Sequence, residues 1–356
     1  MRIVIFGLTV SSAWGNGHAT LWRSLIDALD RAGHVVVFYE RDLPYYRHHR
    51  DLAELSGRAR LRLYASWEDV RREAAAELAC ADAALVTSYC PDGRAACELV
   101  LEVRGPARVF YDLDTPVTLA RLDTGEDVPY LPSHGLGEFD LVLSYTGGRA
   151  LELLRERLGA RRVAPLYGSV DPRRHYPVAA ADRWTSACSY LGTWSDDRQA
   201  ALEALFLDTA RRHPERRFVL GGSQYPADVS WPPNVVRHDH VAPADHPAFY
   251  CSSPVTLSIT REPMAKLGYC PSGRLFEAAA CGVPVLSDAW DGVATFFSPG
   301  EEILIARTTA EASEALARSP AELAAIGARA RARVLDEHTG QRRAVQLIAS
   351  IEGATS

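Results

Sequence analysis

Apolar positions in this chain come in two rhythms that take turns: unbroken runs of four to six residues, and longer stretches with helical spacing. Ile3, Val4, Ile5 and Phe6 form the first run and read as a strand over 2–7. A Ser-, Gly- and Asn-rich stretch, 11–18, reads as a loop. Leu21, Trp22, Leu25, Ile26 and Leu29 then recur at helical spacing over 19–32, and Gly33 stops them. Residues 34–39 give a second strand, so the chain opens β-loop-α-β, the start of a doubly wound parallel sheet. The alternation predicts helices at 68–79, 93–103 and 147–158, and strands at 83–87, 108–111, 141–144 and 162–166.

Near Gly168 the pattern restarts. Asp171-Pro172 and His175-Tyr176-Pro177 read as a linker, followed by a strand at 187–191 and a helix at 198–212. Strands at 218–220 and 235–237, an apolar segment at 255–259, a helix from Ser272 and a strand at 283–287 follow. The expectation is α/β: two Rossmann-like, doubly wound domains facing a cleft, 1–168 and 169–338, with hinge motion near 168–177. Ala-rich helices follow residue 309. A closing helix in 339–356 has the first domain as its candidate packing partner. No short-period repeat is evident.

Composition narrows the classes. The chain has 356 residues, 47% hydrophobic and 24% charged, as in globular proteins built on two cores. A net charge of −6 argues against general nucleic-acid binding. Lys266 is the one lysine and the arginines are scattered. The seven cysteines include no Cys-x-x-Cys pair and read as reduced thiols of a cytoplasmic protein. No stretch has the length of a membrane-spanning helix.

The most informative segment is Pro271-Ser-Gly-Arg-Leu-Phe-Glu277, running on through Cys281-Gly282 to Asp288. Ser272 and Gly273 offer backbone N–H groups at a helix start, where the peptide dipoles favour an anion. Arg274 adds a cation, and Glu277, three residues on, shares its face and suits ribose hydroxyls. A nucleoside diphosphate fits this pattern; a capped surface helix is the plainer alternative. Gly192, at a strand end, permits close backbone approach. Arg198 is a second candidate for the diphosphate, or else a solvated residue paired with Asp196 or Asp197. Gln224 and His240 follow strands and are candidates for a base pocket, and Arg261 is a further candidate cation.

In the first half, Gly15-Asn16-Gly17-His18 opens the first helix without the third glycine of the dinucleotide fingerprint, which disfavours a dehydrogenase. His18 at a helix N-terminus is a candidate general base, or a capping residue. Asp112 and Asp114 end a strand before Pro116. They could hold a divalent ion, orient an acceptor hydroxyl or organise the turn; a metal-free role is favoured because they lie far in sequence from 271–277.

Taken together, these segments resemble the GT-B glycosyltransferases, and more narrowly the group of the spore-maturation protein CgeB. The likeness rests on Gly15–Ala19, Glu40–Asp42, Tyr111–Pro116, Leu143–Gly148, Leu191–Thr193 with Asp197-Arg198, and most specifically Pro271–Glu277. It implies a nucleotide-sugar donor, UDP- or dTDP-linked, in the C-terminal domain and an acceptor, whether small molecule, glycan or protein, in the N-terminal one. It also implies no essential metal or cofactor. Glu277 matches the ribose-binding glutamate, and Ser272 with Gly273 the phosphate-binding turn. Retaining members with paired glutamates carry an acid eight positions before the second, where this chain has Tyr269. Inversion, with His18 or a first-domain aspartate as base, is therefore expected. A nucleotide-sugar epimerase and a non-catalytic binding homologue are the alternatives on the same architecture.

Overall fold

In the first half, seven parallel strands form one sheet: β1 (Arg2–Gly7), β2 (Val35–Arg41), β3 (Arg60–Tyr64), β4 (Ala83–Thr87), β5 (Ala107–Asp112), β6 (Leu141–Ser144) and β7 (Val163–Pro165). This computed structural model describes residues 1–14 and 17–355. The strand order is β3-β2-β1-β4-β5-β6-β7. Helices α1 (His18–Arg31), α2 (Pro44–Arg47), α3 (Trp67–Leu78), α4 (Gly93–Glu102), α5 (Thr115–Asp123) and α6 (Arg149–Leu158) connect and cover it. Val4 and Phe6 pack into one apolar cluster, Ile3 and Ile5 into another, and none of the four is exposed. A parallel sheet covered on both faces needs apolar residues at every position, which is why these strands read as unbroken runs.

Strand β3 and helix α5 escaped the pattern for identifiable reasons. Strand β3 alternates arginine with leucine and lies mostly exposed at the sheet edge, where charge discourages further pairing. Helix α5 has as its second residue a proline, Pro116, that reads as a turn residue but sits in the first turn, where no intrahelical N–H is required.

The second sheet is also parallel: β8 (Cys188–Leu191), β9 (Phe218–Gly221), β10 (Val235–His238), β11 (Thr256–Ser258), β12 (Val285–Ser287) and β13 (Leu304–Ile305), in the order β10-β9-β8-β11-β12-β13. The expected helix at 198–212 is broken in register. It comprises α7 (Gln199–Leu202), a π segment (Glu203–Leu207) and α8 (Asp208–Arg212), with Arg198 in a preceding 3-10 turn. Helices α9 (His246–Cys251), α10 (Glu262–Leu267), α11 (Gly273–Ala280), α12 (Val293–Phe296), α13 (Thr309–Leu316) and α14 (Pro320–Glu337) complete this part. Helix α11 ends at Gly282, whose φ of +76° is the left-handed conformation a glycine supplies.

The chain divides into two units, Met1–Ser169 with the segment from Gly340 onward, and Val170–Thr339. The returning segment is helix α15 (Gly340–Thr355). Its Ala344, Leu347 and Ile351 share one face and are buried with Trp22, Leu25 and Leu29 of α1. Arg343 fastens it further, its Nε donating to the carbonyls of Tyr167 and Gly168 at 3.0 and 3.1 Å. Among the described residues no helix is long and apolar enough to cross a membrane.

In each sheet the strand order reverses between the first strand and its neighbour, β1 with β4 and β8 with β11. Ligands of open parallel sheets bind outside the carboxyl ends of the strands at such a reversal.

Candidate functional site

In the second unit, the loop after β8 is fixed by its own acids. Asp197 accepts from Arg261 Nε at 2.8 Å and from the Ser195 hydroxyl at 2.6 Å, and Asp196 accepts from Trp194 Nε1 at 2.8 Å. Both carboxylates that could have paired with Arg198 are thus engaged elsewhere. Arg261, a candidate phosphate cation by sequence, is neutralised by Asp197. Among the described residues, neither Arg198 nor Arg274 has a carboxylate at ion-pair distance. Burial first, and repulsion from Arg274, lower the Arg198 pKa, against the Tyr190 hydroxyl and Asp197. Two guanidiniums close enough to repel, each without a carboxylate at ion-pair distance, suit an anion between them.

Helix α11 starts at the same place. The Ser272 hydroxyl caps it by accepting from the Arg274 amide at 3.4 Å, and Ser272 lies just outside the helix rather than in it. A Cβ built on Gly273 would meet no atom within 4 Å, so the space in front of the first turn is open. One turn on, Glu277 is enclosed by Tyr250, His246 and His175. The Tyr250 hydroxyl donates to its Oε2 at 3.1 Å, and His246 Nδ1 lies 3.9 Å from the same oxygen. Burial alone would raise the Glu277 carboxyl, yet His175, His246, Arg274 and the Tyr250 hydroxyl together hold it below the usual range. The carboxylate is ionised, and its partners in the protein approach Oε2.

The floor of this region is backbone packed on backbone. A Cβ on Gly222 would lie 2.0 Å from the Gly192 carbonyl oxygen, which in turn accepts from the Tyr225 hydroxyl at 2.8 Å. Gln224 takes a left-handed φ of +67° immediately beyond β9. His240 is exposed two residues past β10. Tyr269, eight residues before Glu277, is also left-handed at +49° and donates its N–H to the Asp291 carbonyl at 2.7 Å. Non-glycine residues in this conformation store strain, which tends to concentrate at functional loops.

In the first unit a buried carboxylate organises the loop after β1. Glu40 Oε1 accepts from the hydroxyls of Thr9 and Ser11, and Oε2 from the amides of Val10 and Ser11, all within 2.9 Å. Gly15 and Asn16 lie outside the described residues. Gly17 caps α1, and His18 is its first residue, with Nε2 3.8 Å from Asp114 Oδ2 and its ring 5.7 Å from that of Tyr89. Tyr89 is the third left-handed non-glycine residue, at +63°, and lies beyond the end of β4.

Asp112 and Asp114 separate in role. Asp112 is fully buried, its Oδ1 accepting the Asp114 amide at 3.1 Å. Burial pushes its carboxyl up to about 6, against the Thr118 and Ser88 hydroxyls and the Asp114 amide. Asp114 opens α5 and turns to His18. Neither belongs to a group of three metal-ligating side chains among the described residues; His175, His246 and Glu277 form such a group instead.

Sequence reasoning named Glu277, Arg274, Arg198, His18 and Asp114 but missed their neighbours. His175 was read as linker, and His246 and Tyr250 lie in a short helix, α9, whose apolar pattern is too brief to register. Only the tertiary structure brings these to Glu277.

Solved structures align with the chain over nearly its whole length. Sucrose-phosphate synthase from Thermosynechococcus elongatus aligns with a TM-score of 0.69 at 16% identity, covering 100% of both chains. HepE from Anabaena, in complex with UDP and glucose, gives 0.66 at 13% identity over 99% of this chain and 100% of that one. An alpha-glucosyltransferase in complex with UDP-glucose and DNA containing an abasic site gives 0.68 at 13% identity over 99% of each. The chain has the GT-B fold. Residues 198–349, covering most of the second GT-B unit and running into α15, match the family model described as glycosyl transferase-like. No curated protein matches the chain by sequence.

Proposed function

We propose that this protein is a glycosyltransferase of the CgeB-like group that moves a sugar from a nucleoside diphosphate, UDP or dTDP, to an acceptor hydroxyl with inversion. One observation carries the reading: Arg274 in the first turn of α11 and Arg198 lie close enough to repel, neither has a carboxylate at ion-pair distance among the described residues, and the ionised Glu277 is one turn on. A diphosphate supplies the charge the arginines lack, and a ribose supplies hydroxyl donors for the free side of the carboxylate. The glycosyl transferase-like match over this unit, and UDP-bound structures of the same fold, support it.

The departing diphosphate gathers charge as the glycosidic bond breaks, and preorganised guanidiniums and amides stabilise that charge without reorganisation. This assigns no Mg²⁺ or Mn²⁺ to the leaving group. Gln224 and His240 are assigned to the base end of the donor, with Gly192 allowing close approach. In the first unit, His18 takes the acceptor proton, and Asp114 favours the imidazolium that results. Gly15, Asn16 and Gly17 are assigned to the acceptor loop. Tyr269, standing where retaining relatives place an acid, favours direct displacement. The free cysteines support a cytoplasmic setting.

Calorimetry with UDP, dTDP, GDP and ADP, then their sugars, tests the donor assignment, and Glu277→Ala should weaken the preferred nucleotide. Unchanged affinity removes the ribose role. Transfer should persist without added Mg²⁺ or Mn²⁺, and NMR of the product anomer reads the stereochemistry. Donor turnover indifferent to every acceptor would replace this reading with epimerisation.

A further inference from the structure

The environment of Glu277 is built more elaborately than a ribose contact requires. Ligand atoms of His175, His246 and Glu277 all lie within 4.8 Å of one another. His175 is 5% exposed, and both its ring nitrogens are buried without a hydrogen-bond partner. A buried imidazole that bonds to nothing is costly unless something completes it.

His246 shows what that partner is. Its Nε2 lies 3.3 Å from the Val241 carbonyl oxygen, which can only accept, so the ring proton sits on Nε2. The neutral ring then turns its Nδ1 lone pair toward Glu277 Oε2, 3.9 Å away. A metal ion between that nitrogen and the carboxylate would be bound by both. Metal-ligating histidines characteristically donate their other N–H to a backbone carbonyl, and ligating carboxylates are themselves hydrogen-bonded, as Tyr250 bonds Oε2 here at 3.1 Å.

We propose that His175, His246 and Glu277 bind a transition-metal ion, Zn²⁺ by the chemistry of two imidazoles and one carboxylate. Ligands of one tetrahedral Zn²⁺ lie roughly 3.3–3.5 Å apart, given metal–ligand distances of about 2.0–2.2 Å. The site therefore closes by rotation of side chains on α9 and in the segment after β7. The ion tethers Glu277 through Oε2 and leaves Oε1 outward. It belongs to the second unit, is separate from the Asp112–Asp114 pair, and bridges no diphosphate in the proposed transfer. Arg274, one turn before Glu277, opposes a dication and limits its affinity.

The test uses the full chain carrying no histidine tag, purified from zinc-replete medium and dialysed. Elemental analysis should find one equivalent of zinc, removable by dipicolinate, and Co²⁺ replacement should give the visible bands of a low-coordinate nitrogen/oxygen site. His175→Ala and His246→Ala should each abolish retention, with circular dichroism confirming the fold. Tyr250→Phe, a milder change to the group behind the carboxylate, should weaken metal binding about 10–100-fold. Arg274→Ala should strengthen it. Replacing His48 and His49 together, an exposed pair elsewhere, should leave the metal in place. Failure of the wild-type chain to bind Zn²⁺ or Co²⁺, or stoichiometric binding that survives both histidine substitutions, overturns the site. These readouts are independent of sugar transfer, so they stand or fall apart from the donor assignment.

Discussion

The two units repeat one strand order, β3-β2-β1-β4 and β10-β9-β8-β11, and put opposite chemistry at the reversal. The first gathers a histidine, two aspartates and a left-handed tyrosine around the end of β5 and the start of α1. The second gathers two arginines without ion-pair partners and an enclosed glutamate, Arg274 and Glu277 on α11 and Arg198 in the turn after β8. Shared topology provides the crevice; it does not choose the ligand. The difference lies in where counter-charges go. Glu40 is consumed by the loop it ties down, and Asp197 by Arg261, so the first site keeps an acid for its histidine while no carboxylate lies at ion-pair distance of the second site's Arg198 or Arg274 among the described residues.

The sharpest way to break this division is at His18. His18→Ala should lower turnover about 10²–10⁴-fold while leaving donor affinity near wild type. Near-normal turnover would remove the first unit's catalytic role.

Asp112→Asn probes the buried acid at the end of β5. Its folded pKa of about 6 lies above its ordinary value of 3.8, so between those values the folded state binds more protons than the unfolded one. Stability therefore falls as pH rises through that window, by roughly 3 kcal/mol, and then levels. The asparagine variant should flatten this slope in urea titrations across pH 4–7. An unchanged slope would place the titration elsewhere.

Arg198→Ala should weaken UDP binding about 10–100-fold, the range of a charge-assisted contact, while thermal stability holds or rises because its repulsion of Arg274 is gone. Lost stability with unchanged affinity would make Arg198 structural. The smallest effect belongs to Ser272→Ala, which removes the α11 cap and should cost about 1 kcal/mol by denaturant midpoint, with a modest loss of nucleotide affinity. No change in either would show that the cap does not set the helix start.

Local rules made much of this legible. Unbroken runs such as Ile3–Phe6 announced buried parallel strands, because both faces of the sheet are covered. The segment Ser272–Glu277 announced a capped helix start with a cation and an acid one turn apart, because capping residue, cation and acid fall within one turn of helix. Edge strand β3 and helix α5 were hidden, since their arginines and proline obey edge and first-turn rules that override pattern.

What the sequence by itself determined was the alternation of the main buried strands and helices and which residue types stand at their ends, since hydrophobic period and helix capping act over a few residues. What only the tertiary structure decided was pairing: Asp197 with Arg261 rather than Arg198, Asp114 with His18, His175 and His246 with Glu277, and α15 with α1. Those partners lie from 31 to more than 300 residues apart along the chain. Charge and packing act through space, so no local pattern carries them.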